Sequence, residues 1–178
     1  MDSAQKTAKL PSGQWGLRRA MGDFIGSFEG RRDGKSRVAV PAAFRSALRE
    51  AASGDTLAVV LYPSHSAGCI ECWSPDGFAA YVREETSLYE LKEDADAIRQ
   101  LMSSDAQRAE LDGDGRIVLP AKLALFAGLG EKVTFLSSGE HFEIWATETA
   151  ERQLAETRAR LAATASTRKL RNPHWRGA

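Results

Sequence analysis

The chain repeats its own pattern, and this repeat constrains the possible folds more than any other feature. Residues 33–41 and 112–120 both read Asp-Gly-x-[Ser/Gly]-Arg, followed by three apolar residues and a proline. Every matched position in these two stretches is 79 residues from its counterpart. Internal similarity at a fixed spacing predicts two copies of one structural unit.

The match continues beyond the prolines. Each half has an apolar-periodic segment, a strand-like run and an x-Glu-x-Trp motif in the same order, at residues 42–48, 56–61 and 70–73 and at residues 121–127, 132–136 and 142–145. The spacing at the tryptophan motif is 72 residues, so the first half carries seven extra residues. We expect these residues to lie in loops, where insertions cost little.

Turn chemistry predicts the structure of each unit. An Asp-Gly pair favours a hairpin, because glycine accepts positive φ and aspartate bonds its own backbone. The apolar runs that follow suit short buried strands, and Pro41 and Pro120 suit the first position of a helix. Gly128 is a candidate helix C-cap. A unit of about 50 residues is marginal for an independent core, so we expect the two units to pack together or interleave.

The remaining segments are predicted to be helical or flexible. Ser74 can cap a helix that has Pro75 at its first position, and Thr147 can cap a second helix that runs to about Ala163. The predicted fold is α+β and β-rich, with two tandem units, a helical connector and a C-terminal helix. Its segments are a flexible basic arm (1–23), the first unit (24–73), an acidic helical connector (74–108), the second unit (109–147), and a C-terminal helix with a basic tail (148–178).

Charge is balanced overall but segregated along the chain. The 24 basic residues equal the 24 acidic ones, which excludes a uniformly basic nucleic-acid binder. Residues 76–110 contain nine acidic and four basic side chains, whereas residues 151–178 contain seven basic and two acidic ones. Residues 31–37 place four basic side chains around one acid. A nucleic-acid surface would therefore be local, with residues 31–37 as the leading candidate.

Residues 24 to about 160 resemble the MraZ family of bacterial regulators, through the two Asp-Gly-x-[Ser/Gly]-Arg motifs, their prolines and the two x-Glu-x-Trp motifs. The resemblance implies the SpoVT/AbrB-type swapped-hairpin fold, with both units forming a pseudo-dimer within one chain. It also implies a ring of chains that binds direct repeats of double-stranded DNA. Those repeats would lie upstream of the cell-division and cell-wall gene cluster that includes the regulator's own gene.

The resemblance implies that Asp-x-x-x-Arg loops contact DNA, which here are Asp33 with Arg37 and Asp112 with Arg116. The first loop departs from the family pattern, because Ser36 stands where the family has glycine. If that position needs positive φ, serine costs about 1 kcal/mol. The long polar N-terminal arm is also unlike the usual start of the family.

The chemistry of the loops suits DNA. Arginine presents a planar fork of donors that matches phosphate or the edge of guanine. Arg31, Arg32 and Lys35 add positive potential, so the expected DNA-binding residues are Arg31, Arg32, Asp33, Lys35, Arg37, Asp112 and Arg116. In the alternative interpretation each Asp–Arg pair only braces its hairpin. That alternative is stronger for the second loop, where Asp114 replaces Lys35, so we expect the two loops to be unequal.

Other signals favour structural roles. Cys69 and Cys72 form a C-x-x-C motif with His65 nearby, but a structural zinc site needs four ligands, so we expect no metal and no cofactor. Trp73 and Trp145 end equivalent strands, which favours packing over base stacking. Glu71 and Glu143 recur without a nucleophile beside them, so we expect no enzyme and no small-molecule substrate.

The leading hypothesis is a sequence-specific DNA-binding repressor that is cytoplasmic and nucleoid-associated. The cytoplasmic location is expected because the chain has only two cysteines, no signal peptide and no long apolar run. The alternative is an antitoxin-like or scaffolding module that binds a protein through the acidic connector. The basic tail, with Arg168, Lys169 and Arg171, could touch DNA or remain solvated.

Overall fold

The computed structural model describes residues 23–52 and 56–171, with side chains described through residue 165. The predicted N-terminal arm, apart from residue 23, and the side chains of the basic tail lie outside the described residues. The elements are β1 (Ser27–Arg31), β2 (Arg37–Ala39), α1 (Ala42–Ala51), β3 (Ala58–Pro63), β4 (Ile70–Trp73), α2 (Pro75–Ser87), α3 (Lys92–Asp105), β5 (Gln107–Glu110), β6 (Arg116–Val118), α4 (Ala121–Phe126), β7 (Lys132–Ser137), β8 (Phe142–Ala146) and α5 (Thr147–Arg171).

The strands of the two units interleave. A six-stranded antiparallel sheet has the order β1-β7-β8-β4-β3-β5, and a two-stranded ladder joins β2 to β6. Strand β1 of the first unit pairs with β7 of the second, while β5 of the second pairs with β3 of the first. Each unit therefore completes the hairpin of the other, which confirms the predicted α+β, β-rich pseudo-dimer.

A pseudo-twofold axis passes through the β2–β6 ladder and through the β4–β8 pair at the centre of the six-stranded sheet. Val38 pairs with Ile117 between β2 and β6, and these residues are equivalent in the repeat. Glu71 pairs with Glu143 between β4 and β8, and these are equivalent as well. The short ladder and the centre of the large sheet thus share one local symmetry.

The main core lies between the six-stranded sheet and the β2–β6 ladder. Helices α1 and α4 and the β2–β6 ladder cover one face of the large sheet, where Phe44 and Phe142 are fully buried and stack with ring centroids 4.9 Å apart. Burying an aromatic side chain of this kind stabilises a fold by about 2–3 kcal/mol. Helices α2 and α3 cover Tyr62 and Trp73 on the other face, and α5 covers Trp145. The connector and C-terminal helices are therefore on the opposite side of the sheet from the short ladder.

The prediction that the seven extra residues lie in loops is wrong in part. Helix α1 has ten residues and its counterpart α4 has six, so most of the added chain before β3 lengthens a helix. Of the helical residues that α1 has beyond the point where α4 ends, Leu48 lies in the core. Burial of this apolar side chain offsets part of the cost of ordering the extra residues, and only the remainder lengthens loops.

Helix termini differ from the predictions by small shifts. Helices α1 and α4 begin one residue after Pro41 and Pro120, whose carbonyl oxygens accept the first helical hydrogen bonds, from the amides of Arg45 and Ala124. Each proline therefore occupies the N-cap and not the first helical position. Ser74 caps α2 as predicted, since its Oγ accepts from the Gly77 amide at 3.1 Å.

The C-terminal ends of α4 and α5 follow from local chemistry. Gly128 has φ 58° and ends α4 in a Schellman motif. The Gly128 amide donates to the Leu125 oxygen, and the Leu129 amide donates to the Ala124 oxygen. Helix α5 starts at Thr147 itself and extends to Arg171, so the predicted end near Ala163 is too early. The whole span lacks glycine and proline, and Pro173 follows shortly after it. In the part of the chain that the structure describes, no helix combines the length and apolar character needed to span a membrane.

Candidate nucleic-acid interface

The outer face of the β2–β6 ladder presents both motif arginines. Val38 and Ile117 point into the core and are fully buried, so their strand neighbours point outward. Arg37 lies opposite Val118, and Arg116 lies opposite Ala39. The two guanidinium groups therefore extend from one exposed surface and are related by the pseudo-twofold axis.

The first loop is organised by the carboxylate of Asp33. Its Oδ1 accepts from the backbone amides of Lys35 and Arg37, both at 2.9 Å. Its Oδ2 accepts from Arg37 Nε at 2.8 Å and lies 2.7 Å from Arg37 Nη2. Asp33 thus fixes both the turn and the direction of the arginine, and these contacts engage two of the five N–H donors of the guanidinium.

The second loop has nearly the same geometry. Asp112 Oδ1 accepts from the amides of Asp114 at 3.0 Å and Arg116 at 2.9 Å, and its Oδ2 accepts from Arg116 Nε at 2.9 Å. One contact differs, because Arg116 Nη2 also donates to Asp114 Oδ2. Lys35 takes the place of Asp114 in the first loop, so Arg37 has no such second carboxylate there.

The turn needs a left-handed residue just before each arginine. Ser36 has φ 57° and Gly115 has φ 75°, and Ser36 is the one residue other than glycine with positive φ among the described residues. Both copies of this position have positive φ, so the condition under which serine was expected to be costly is met, and the first loop has a backbone strain that the second avoids.

Backbone hydrogen bonds join the two loops to each other. The Val40 amide donates to the Gly115 oxygen at 3.0 Å, and the Leu119 amide donates to the Ser36 oxygen at 2.8 Å. These bonds extend the short ladder at both ends. The loops therefore form one hydrogen-bonded surface and are not two independent hairpin tips.

Hydrogen bonds within the loops favour the ionised form of both motif aspartates. Hydrogen bonds from the Arg37 amide and then its side chain lower the pKa of Asp33 to about 2. The Arg116 amide is the main group that lowers the pKa of Asp112, and the Asp112 carboxylate raises the pKa of Arg116. The carboxylates of Asp33 and Asp112 are thus ionised near neutral pH.

Comparison with known proteins identifies the family. A family model described as "MraZ protein, putative antitoxin-like" matches residues 102–172. The transcriptional regulator MraZ of Gluconacetobacter diazotrophicus is 40% identical over 141 residues, which cover 79% of this chain and 89% of that protein. The transcriptional regulator MraZ of Gluconobacter oxydans is 40% identical over 147 residues, which cover 81% of this chain and 89% of that protein. The transcriptional regulator MraZ of Rhodospirillum rubrum is 33% identical over 127 residues, which cover 70% of this chain and 80% of that protein. The chain belongs to the MraZ family of transcriptional regulators.

The seven residues predicted to bind DNA, four from the MraZ resemblance and three from their positive charge, lie in or beside the two loops, but the two loops differ in charge. In the first loop Lys35 is exposed, Arg32 is half-buried, and Arg31 Nη1 lies 3.1 Å from Glu131 Oε1 in an exposed pair. The second-loop counterparts of Arg31, Arg32 and Lys35 are Glu110, Leu111 and Asp114. The pseudo-symmetric backbone therefore carries a basic first loop and an acidic second one.

Sequence reasoning missed Arg45. This residue lies on α1, and its Nη1 donates to the Val40 oxygen at 3.0 Å. Its side chain covers the second loop so closely that a Cβ on Gly115 would lie 2.6 Å from Arg45 Cδ. The repeat contains a usable signal, because the position equivalent to Arg45 in the second unit is Ala124.

The x-Glu-x-Trp motifs that also mark this MraZ chain have a packing role. Trp73 Nε1 donates to Glu71 Oε2 at 3.1 Å, and Trp145 Nε1 donates to Glu143 Oε2 at 2.8 Å. The two indoles are 5% and 4% exposed, so the prediction that they pack within the protein is confirmed. Each glutamate recurs because a buried indole N–H needs an acceptor.

The C-x-x-C motif is divided between two clusters. Cys72 lies in the main core, whereas Cys69 lies with Leu136 and Trp145 beneath α5. Burial raises the pKa of both thiols, which disfavours the thiolate that binds metals. Among the described residues no group of three or more His, Cys, Asp or Glu side chains is placed to hold a metal ion.

Proposed function

We propose that this MraZ-family member is a sequence-specific DNA-binding repressor that contacts DNA through the outer face of the β2–β6 ladder. The observation that carries the proposal is the pair of aspartate-braced arginines, Arg37 and Arg116, on one exposed, hydrogen-bonded surface. Double-stranded DNA is the partner, with Arg31, Arg32, Asp33, Lys35, Asp112 and the two arginines forming the contact.

The brace favours binding because it removes freedom before DNA arrives. An exposed arginine loses rotamer entropy when it is fixed, and Asp33 and Asp112 have already limited that freedom in the free protein. Each remaining fork of donors can reach guanine O6 and N7 or a phosphate. Bracing and DNA contact are therefore compatible roles of the same pair.

The two loops differ in charge and therefore contribute differently to DNA binding. Arg31, Arg32 and Lys35 surround Arg37 with positive potential, which draws the first loop towards the phosphate backbone. Arg116 faces Asp114, which weakens its attraction for phosphate. The first loop therefore supplies most of the affinity, and the second contributes register.

Chains would assemble into a ring whose several loop surfaces bind direct repeats together. Two observations on α4 favour contact between copies: Leu125 is 83% exposed and Phe126 is 49% exposed. Copies placed head to tail would also bring the basic first loop of one copy near the acidic second unit of the next. Binding at several repeats raises the effective concentration at each site, so modest single contacts give a stable complex.

The proposed target is the DNA upstream of the cell-division and cell-wall gene cluster that includes this chain's own gene. The proposed location is the cytoplasm, with nucleoid association through DNA. We expect no enzymatic activity and no small-molecule substrate, because the half-buried glutamates and the buried cysteines serve packing.

Fluorescence anisotropy tests the proposal. Labelled DNA from upstream of the gene and a scrambled duplex are titrated with the wild type, Arg37→Ala and Arg83→Ala. Arg83 is exposed on α2, on the opposite side of the sheet, so its variant controls for the loss of one positive charge. We expect preferential binding by the wild type and by Arg83→Ala, and a loss of about 5- to 150-fold in Arg37→Ala, because a charged bidentate contact contributes about 1–3 kcal/mol. Equal binding to both duplexes would overturn sequence-specific recognition.

A second candidate is an antitoxin-like module that binds a protein partner. The description of the matching family model favours it, and that match includes the end of α3. The acidic connector would be the contact face, with a basic protein surface as its complement. A wild type that binds neither duplex at physiological salt would make this candidate the leading one.

A further inference from the structure

We infer that Arg45 completes the second DNA-contact site by supplying a phosphate-binding guanidinium that the second loop itself lacks. The inference rests on the proposed function and deepens it. The site is composite, because helix α1 of the first unit places this arginine against the loop of the second unit.

The position of Arg45 is the first step. Its Cδ, Nη1 and Nε would lie 2.6–2.9 Å from a Cβ built on Gly115, so the side chain crosses the backbone immediately before Arg116. The hydrogen bond from Arg45 Nη1 to the Val40 oxygen fixes this pose and uses one of the five guanidinium donors. The charge of Arg45 is thereby held beside the second loop.

The charge balance is the second step. Arg45 bonds a carbonyl oxygen, and no carboxylate of the described residues lies within salt-bridge distance of it. Arg116, by contrast, is held by both Asp112 and Asp114. Arg45 therefore has the uncompensated positive charge next to the second loop, and it is the group there with the greater attraction for a phosphate.

The repeat provides a third and independent step. The first-loop counterpart of Gly115 is Ser36, and the counterpart of Arg45 is Ala124, which is buried on α4. In the first loop the residue with positive φ is Ser36, and the equivalent helix position is the small Ala124. In the second loop that residue is Gly115, and the equivalent helix position is the large Arg45. Gly115 has no side chain because Arg45 occupies the space, so this glycine serves the arginine as well as its own positive φ.

The test measures affinity for the upstream duplex across a series of salt concentrations. We expect Arg45→Ala to lower the association constant about tenfold at physiological salt, the effect of losing one charge-assisted contact. The slope of log K against log salt should fall in magnitude by about 0.9, which corresponds to one phosphate contact. Arg45→Lys should keep the slope, and Arg83→Ala should match the wild type.

A double-mutant cycle separates the contact from loop strain. Gly115→Ser adds a side chain where Arg45 lies, and Ser36 demonstrates that serine fits this turn. We expect Gly115→Ser to lower affinity in the wild type and to have no further effect in Arg45→Ala. Equal losses in both backgrounds, or an Arg45→Ala variant with an unchanged salt slope, would overturn the inference. A wild type that does not bind the duplex would instead reject the proposed function.

Discussion

Asp33 combines two tasks that a single carboxylate can perform because it has two oxygens. One oxygen accepts the amides of the turn, and the other holds the guanidinium of Arg37. Both interactions need the ionised form, which is why the pKa of Asp33 falls to about 2 from an ordinary 3.8. The same residue thus links the stability of the loop to its readiness for DNA.

This linkage predicts a pH dependence with a definite sign. The folded-state pKa is below the unfolded one, so the stabilisation by Asp33 is complete above about pH 4 and is lost as the pH falls towards 2. The free energy of unfolding of Asp33→Asn should therefore be below that of the wild type by a constant amount from pH 5 to 8. The difference should shrink steadily below pH 4, as measured by urea denaturation.

Asp94→Asn provides the control, because Asp94 is an exposed carboxylate in the first turn of α3, away from both loops. If the deficit of Asp33→Asn were the same at pH 3 as at pH 7, the charge of Asp33 would not be its source. The aspartate would then act only through its shape and neutral hydrogen bonds.

At the scale of elements, the three-residue strands β2 and β6 are the support of both loops. Each strand offers one inward side chain, and Val38 and Ile117 meet at the pseudo-twofold axis. The pair joins the ladder to the main core. A change at either residue therefore acts on both loops together.

Ile117→Ala should lower the free energy of unfolding by about 2–5 kcal/mol, because it leaves a cavity at a fully buried position. The matched control is Val118→Ala, the adjacent residue, which is 58% exposed and should cost within about 0.5 kcal/mol. Urea denaturation compares the two variants. A cost below 1 kcal/mol for Ile117→Ala would mean that the ladder is not held by its buried pair.

Local elements could be predicted from the sequence, whereas contacts between units could not. The Asp-Gly turns, the Ser74 cap and the Gly128 C-cap depend on residues within five positions of each other, so their patterns are visible in the chain. The pairing of β1 with β7 is non-local, and it was implied by the family resemblance and not by spacing. Arg45 was missed for the same reason, since α1 and the second loop are about 70 residues apart.

The whole molecule has a symmetric backbone and an asymmetric surface. Two identical units would present identical surfaces, which suit self-complementary contacts between copies. Here the units differ, with Arg31 and Lys35 on the first and Glu110 and Asp114 on the second. Different surfaces favour head-to-tail contact, and such contact forms a ring when the rotation between copies closes.

The proposed ring makes a prediction about α4. Leu125→Glu places a charge on the exposed apolar face of this short helix, and an interface there would lose affinity because the charge would be buried without a partner. We expect the variant to be a smaller species than the wild type in light scattering after gel filtration, with its far-UV circular dichroism unchanged. Its affinity for DNA with several repeats should fall much more than its affinity for a single repeat, since the loops are intact and only multivalency is lost. Leu161→Glu, on an exposed position of α5, is the matched control and should remain assembled. If Leu161→Glu dissociates while Leu125→Glu does not, copies meet through the C-terminal helix, on the side of the sheet away from the loops.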